Sequence, residues 1–179
     1  LTASGHKFRG PKGTGFLYVR EGVKMQSLIH GGAQERGLRA GTENVPGIIG
    51  LATAAYIADA AMEQRMRYEM QIRDYMIEEL LTSIPYSRLN GHPDQRLPNN
   101  INVSFQFVDG GALLVMLDTL GICASGGSAC TSASKEPSHV LKAIGLSDEL
   151  ARGTIRLTIG AETTKKDADY VIACIRELV

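Results

Sequence analysis

Two groups in this sequence are placed to do covalent chemistry, a thiol and an amine. Cys130 sits in the run ASGGSACTSAS, Ala124 to Ser134, where every other residue is Gly, Ala, Ser or Thr. Nothing in the run has apolar area to anchor it, and its glycines lose backbone entropy when fixed, so the sequence predicts a surface loop. A thiol in such a loop can attack a held substrate or carry sulfur. An inert cysteine is the alternative, because an unperturbed thiol is mostly protonated near neutral pH. The amine is Lys7, preceded by Ser4, Gly5 and His6. A hydroxyl, an open backbone N–H and an imidazole can each donate to a phosphate, and a lysine held in an apolar pocket adds to aldehydes. That combination suits a phosphorylated aldehyde cofactor, although these four residues alone read better as a surface Lys–His pair.

Other groups are less specific. Arg156 lies among Ile155, Leu157 and Ile159. It either points to solvent by strand alternation, which the pattern favours, or reaches into a cleft to hold a carboxylate. Cys123 and Cys130, with His139, lack the tight spacing of zinc motifs, so no metal site is assigned. Cys123 in a predicted strand and Cys174 on the apolar side of a helix are expected in the core, which leaves Cys130 as the most reactive thiol. The spacing from Gly5 to Gly10 imitates a phosphate loop, but Pro11 and Lys12 follow where a lysine and a hydroxyl are needed.

The elements that must position these groups alternate between helix and strand. A strand is predicted over residues 16–19, and a glycine-rich loop over residues 31–47. Thr42 or Asn44 opens a helix with Pro46 in its first turn, and a helical region over 45–84 is bent or broken near Glu63. Met62, Met66 and Met70 form a packing stripe within it. Strands follow at 101–107, 122–124 and 154–159, with helices at 111–120, 138–144 and 164–179. Glu136 and Pro137 read as the start of the helix behind the thiol loop. The second part is therefore an α/β lobe whose sheet is covered by helices.

Lysine plus arginine (19) balance aspartate plus glutamate (19). No basic field suggests nucleic acid, and no polybasic stretch suggests a membrane surface. No apolar run reaches the roughly 20 residues that span a bilayer. Three cysteines at irregular spacing argue for a reducing compartment, with the cytoplasm as the expected location. The first residue is Leu1 within a strand-like stretch, and the sequence is read as starting inside a longer protein.

Taken together, SGHKFRGPKG from Ser4, GGAQERGLRAGTEN from Gly31, and GSACTS around Cys130 with EPSHVL from Glu136 resemble the cysteine desulfurases. These are pyridoxal-phosphate enzymes of the class V aminotransferase fold, which is aspartate aminotransferase-like. The resemblance implies that Lys7 carries pyridoxal 5'-phosphate, that Ser4, Gly5 and His6 bind it, and that Thr42 reaches the phosphate of a neighbouring subunit in a homodimer. It implies that Cys130 takes sulfur from L-cysteine as a persulfide, leaving L-alanine, and that Arg156 holds the substrate carboxylate, against the alternation reading. The persulfide would pass to an iron–sulfur scaffold or another acceptor protein, with at most a transient iron–sulfur contact at Cys130. Residues 1–62 would be the end of the large cofactor-binding domain with the start of a linker helix, and residues 63–179 the small domain.

The resemblance also implies an upstream part that supplies the residue stacking on the cofactor ring and the aspartate paired with its pyridine nitrogen. The chain alone is accordingly expected to be inactive, with an apolar surface over residues 1–60. A non-catalytic sulfur-carrier or interaction fragment, and a selenocysteine lyase of the same fold, are the alternative readings.

Overall fold

The computed structural model describes residues 1–126 and 137–179, and these form two units, Leu1–Glu63 and Gln64–Val179. In the first, β1 (Thr2–Ser4) pairs antiparallel with β2 (Gly15–Leu17), placing Ser4 opposite Gly15. Gly15 is required there, because a Cβ would lie 2.6 Å from the Ala3 carbonyl oxygen. A short 3-10 turn over Gly5–Phe8 leaves β1 and ends at Arg9, which adopts φ 69°. Helix α1 (Val45–Ala60) opens as the sequence predicts. The Asn44 side chain accepts the Gly47 N–H at 3.1 Å, and Pro46 stands in the first turn.

Helix α1 presses on the 3-10 turn through glycines. A Cβ at Gly47 would lie 2.4 Å from Thr14, and one at Gly50 would lie 2.6 Å from Pro11. Its remaining surface is apolar on every side, and Ile48, Ile49, Tyr56 and Ile57 are exposed. A helix without a polar face is one that is covered from several directions. Within Leu1–Glu63 the buried residues are Gly5, Ala40 and Gly47, so the apolar side chains here do not close a core of their own.

The second unit does close one. Its sheet has the order β3 (Ser87–Leu89), β4 (Asn100–Phe105), β5 (Thr154–Thr158), antiparallel throughout. Alternation sends Ile101, Val103 and Phe105 of β4 and Ile155 and Leu157 of β5 to one face. There they meet Met76 and Leu80 of α2 (Met62–Ser83), Leu113 and Leu117 of α3 (Gly110–Thr119), and Ile172 and Ile175 of α6 (Lys165–Leu178). Burying each such side chain stabilises the fold by about 1.5–3 kcal/mol. Other positions of the sheet carry a hydrogen-bonded polar row, Asn90 to Ser104 at 2.7 Å and Ser104 to Thr154 at 2.6 Å. Two short helices, α4 (His139–Ala143) and α5 (Asp148–Arg152), bury Leu141, Leu146 and Ala151 in a smaller cluster. Helix α6 starts in a capping box. Thr164 accepts the Asp167 N–H at 3.2 Å, and the Asp167 carboxylate accepts the Thr164 N–H at 2.8 Å.

The break expected near Glu63 in the long helical region is present, at Ala61 between α1 and α2. Other sequence expectations need correction. Met62, Met66 and Met70 are exposed and do not pack. Seven residues on, at Glu69, Arg73 and Ile77, the same face is buried, so the methionines continue that face into turns ahead of the core. Residues 122–124 form no strand; one isolated bridge, Ser125 with Arg156, takes its place. Cys123 is exposed, whereas Cys174 is buried as expected. Ile122 takes the place in the core and Cys123 lies outside it. β3 and α5 were not anticipated, being three and five residues long.

Candidate functional site

Three facts position Lys7. The β1–β2 pairing delivers the chain to the 3-10 turn, the Gly5 N–H donates to the Thr14 carbonyl at 2.8 Å, and the Gly10 N–H donates to the Gly5 carbonyl at 2.9 Å. Gly5 is buried under α1, where a Cβ would stand 3.2 Å from Leu51 and from Thr14. That closeness leaves the backbone as the only part of residue 5 that fits. Its N–H is engaged by the Thr14 carbonyl, so Gly5 serves the turn by close packing.

The neighbours of Gly5 are open. Ser4, His6 and Lys7 are exposed, and among the described residues none of their side chains has a hydrogen-bond or ion-pair partner. Thr42 is likewise exposed, two residues before the Asn44 cap of α1. An unpaired primary amine beside a hydroxyl and an imidazole, on a turn closed to side chains, is a donor set that fits a phosphorylated aldehyde. The residues present therefore suit pyridoxal phosphate.

Arg156 belongs to the second unit. It is half-buried in the middle of β5, opposite Asn102 of β4, on the face away from Ile155 and Leu157. Among the described residues its guanidinium has no partner, while its backbone is paired on both sides. A half-buried cation without an anion is a site for one from outside.

Cys130 and Glu136 lie outside the described residues, together with the rest of residues 127–136. The segments on either side are described. Upstream, Ser125 donates its N–H to the Arg156 carbonyl at 3.1 Å, and Arg156 donates back to the Ser125 carbonyl. Downstream, Ser138 precedes α4, which buries Leu141. Because Cys123 is exposed, burial sets Cys174 apart from it, while the expectation that Cys130 is the most reactive thiol falls outside the described residues. Among the described residues no group of three or more His, Cys, Asp and Glu could hold a metal ion.

Sequence reasoning missed the role of Thr14, whose carbonyl fixes Gly5, and of the glycines on α1. The signal was the pair Gly47 and Gly50, three residues apart in a helix, which marks a close approach.

The family Aminotransferase class-V matches residues 1–171. The whole chain is 53% identical to cysteine desulfurase IscS of Methanosarcina thermophila and 50% identical to a cysteine desulfurase of Trichormus azollae. It covers 44% and 45% of those two proteins, so it spans less than half the length of the relatives it matches. Among solved structures, a NIFS-like protein superposes with a TM-score of 0.87 at 36% identity, over 99% of this chain and 45% of that one. SspA in complex with cysteine superposes with a TM-score of 0.62 at 34% identity, over 91% of this chain and 44% of that one.

Proposed function

The chain belongs to the class-V aminotransferase family, and from that membership we propose that it is part of a cysteine desulfurase that moves sulfur from L-cysteine to Cys130. The observation that carries the reading is the unpaired Lys7 amine on a turn closed to side chains, in a chain 53% identical throughout to a curated cysteine desulfurase. Ser4 and His6 would hold the phosphate of pyridoxal 5'-phosphate, and Lys7 its aldehyde carbon. When bound, the cofactor withdraws electrons from the substrate Cα. The Lys7 amine, free of other partners, takes and returns the Cα proton.

Arg156 meets the substrate carboxylate with its unpaired guanidinium. L-cysteine as the substrate is supported by the solved relative SspA, described in complex with cysteine. The Cys130 thiolate attacks the substrate sulfur, the new S–S bond forming as the C–S bond breaks. The electron pair of the C–S bond stays on the substrate carbon, which gains a proton, so L-cysteine and a thiol become L-alanine and a persulfide. That persulfide then passes to an iron–sulfur scaffold or another acceptor protein. Thr42 would serve the phosphate of a second subunit in a homodimer, and the compartment is the reducing cytoplasm.

The test is a pair of variants in the complete enzyme. Cys130→Ala should keep the cofactor's absorption, and its change on adding L-cysteine, but make no alanine. Lys7→Ala should lose both. Normal turnover by either variant would overturn the assignment. The 179-residue chain alone, given pyridoxal phosphate and L-cysteine, is expected to release no alanine until the upstream segment is supplied as a second polypeptide.

A further inference from the structure

The face of the sheet turned away from the core carries a cross-strand row of three side chains. Asn90 continues β3, its N–H donating to the Asn102 carbonyl at 2.9 Å, and Asn102 of β4 stands opposite Arg156 of β5. The Asn102 carbonyl is thus turned to β3, while the N–H and carbonyl of Arg156 are turned the other way, to Ser125. Asn102 and Arg156 therefore form a non-hydrogen-bonded cross-strand pair. This is the closer kind, with Cα atoms about 4.5 Å apart and both side chains on one face.

The direction of the buried hydrogen bonds fixes what the Asn102 side chain offers. The Leu150 carbonyl can only accept, so Thr154 donates its hydroxyl proton there, at 2.9 Å. Thr154 must then accept from Ser104 at 2.6 Å, and Ser104 must accept from Asn90 Nδ2 at 2.7 Å. The second Nδ2 proton of Asn90 goes to Asn102 Oδ1, at 2.8 Å. Turning the Asn90 amide over would ask the single Ser104 proton to serve Asn90 and Thr154 at once. The orientation is therefore set, although among the described residues it leaves Asn90 Oδ1 buried without a partner. With its oxygen spent toward β3, the planar amide of Asn102 directs its NH2 group away from β3.

Among the described residues that NH2 group has no acceptor, and the Arg156 guanidinium across from it has no anion. Both residues are half-buried, open to a ligand yet partly shielded from water. Two neighbouring donors, one of them charged, call for a ligand with two acceptor oxygens and a negative charge. Resting on the proposed function, which gives the substrate carboxylate to Arg156, we infer that Asn102 is a second carboxylate-binding residue. Its NH2 group donates to one carboxylate oxygen while the guanidinium meets the charge. The row from Leu150 through Thr154 and Ser104 to Asn90 positions it, because it keeps the Asn102 oxygen, which would repel a carboxylate, turned away. An amino acid with a free α-carboxylate is thereby selected over one whose carboxyl group is capped.

The test is a titration of the cofactor's absorption in the complete, cofactor-loaded enzyme. One ligand is L-alanine, which presents the α-carboxylate without sulfur, and the other is L-alaninamide, which presents no carboxylate. Asn102→Ala is expected to raise the half-saturating L-alanine concentration about tenfold, as for loss of a hydrogen bond to a charged group, and that of L-alaninamide by less than about twofold. Ser104→Ala should show the same selectivity at about threefold, because the Asn90 amide is then free to turn. Arg156→Gln tests the underlying reading separately and should also weaken L-alanine selectively. If it does, and Asn102→Ala weakens neither ligand or both alike, the role of Asn102 is refuted while that of Arg156 stands. If Arg156→Gln shows no selectivity, the carboxylate assignment fails and the role of Asn102 falls with it. An unchanged titration in Ser104→Ala would overturn the positioning role of the row.

Discussion

Residues 64–179 and residues 1–63 use similar apolar side chains for opposite ends. In the second unit Leu80, Leu113 and Ile175 are fully buried, and helices α2, α3 and α6 cover one face of the sheet. In the first, Phe16, Leu17, Ile49 and Ile57 are exposed, and the close contacts are made by glycines. The difference teaches where chemistry can be mounted. Lys7 is positioned by backbone hydrogen bonds and glycine contacts that need no surrounding core, whereas Arg156 stands on a strand whose other face is the core itself. Stability and the amine's placement are therefore separable in this chain.

The strongest way to break that comparison is to divide the chain. Residues 62–179 are expected to give a cooperative calorimetric transition alone, and residues 1–63 to give none, because burial of apolar area drives the transition. A cooperative transition from residues 1–63 alone would refute the contrast. Next in size are single truncations. Leu113→Ala should cost about 2–5 kcal/mol in denaturant unfolding, while Ile49→Ala in α1 should stay within about 0.5 kcal/mol. Equal losses would show that α1 packs as a core helix within this chain.

A smaller effect tests the glycine frame. Gly15→Ala places a Cβ against a backbone oxygen, which has no side chain to move aside. It should cost about 1–3 kcal/mol of local stability and weaken cofactor binding in the complete enzyme, read from absorption titrations. Undisturbed binding would mean that the β1–β2 pairing does not position Lys7.

The smallest effect belongs to the α6 cap. Thr164→Ala should cost about 1 kcal/mol, seen as a lower melting temperature. The Thr164 hydroxyl, and then its backbone N–H, hold the Asp167 carboxyl below its ordinary range. A lowered folded value means that this contribution is present above the ordinary carboxylate range and is lost as the pH falls through the folded value. The gap between variant and wild type should narrow at acid pH, leaving the part due to the Thr164 bond from the Asp167 N–H; an unchanged gap would show that the Asp167 charge contributes nothing.

Local signals in the sequence determined a good deal. Asn44 with Pro46, and Thr164 with Asp167, are start signals made by neighbouring residues, and both helices begin where those residues stand. The alternation of Ile101, Val103 and Phe105 names a half-buried strand without reference to its partners. Lys7 and Arg156 gained a chemical reading only through the three motifs taken together, since Ser4 to Lys7 alone read better as a surface pair and alternation alone turned Arg156 to solvent. The composition of the run around Cys130 is itself a local signal.

What tertiary structure alone decided concerns partners distant in the chain. That the Gly5 N–H is spent on Thr14 depends on a strand pairing that returns the chain to it. Cys123 turned outward because Ile122 claimed the core, a choice between adjacent residues that the sheet and α3 make together. The methionines at 62, 66 and 70 have the spacing of a packing stripe, yet spacing names a face and not what covers it. The bridge from Ser125 to Arg156 joins residues 31 apart through backbone atoms only, and since every residue type carries the same N–H and carbonyl, no side-chain pattern announces it.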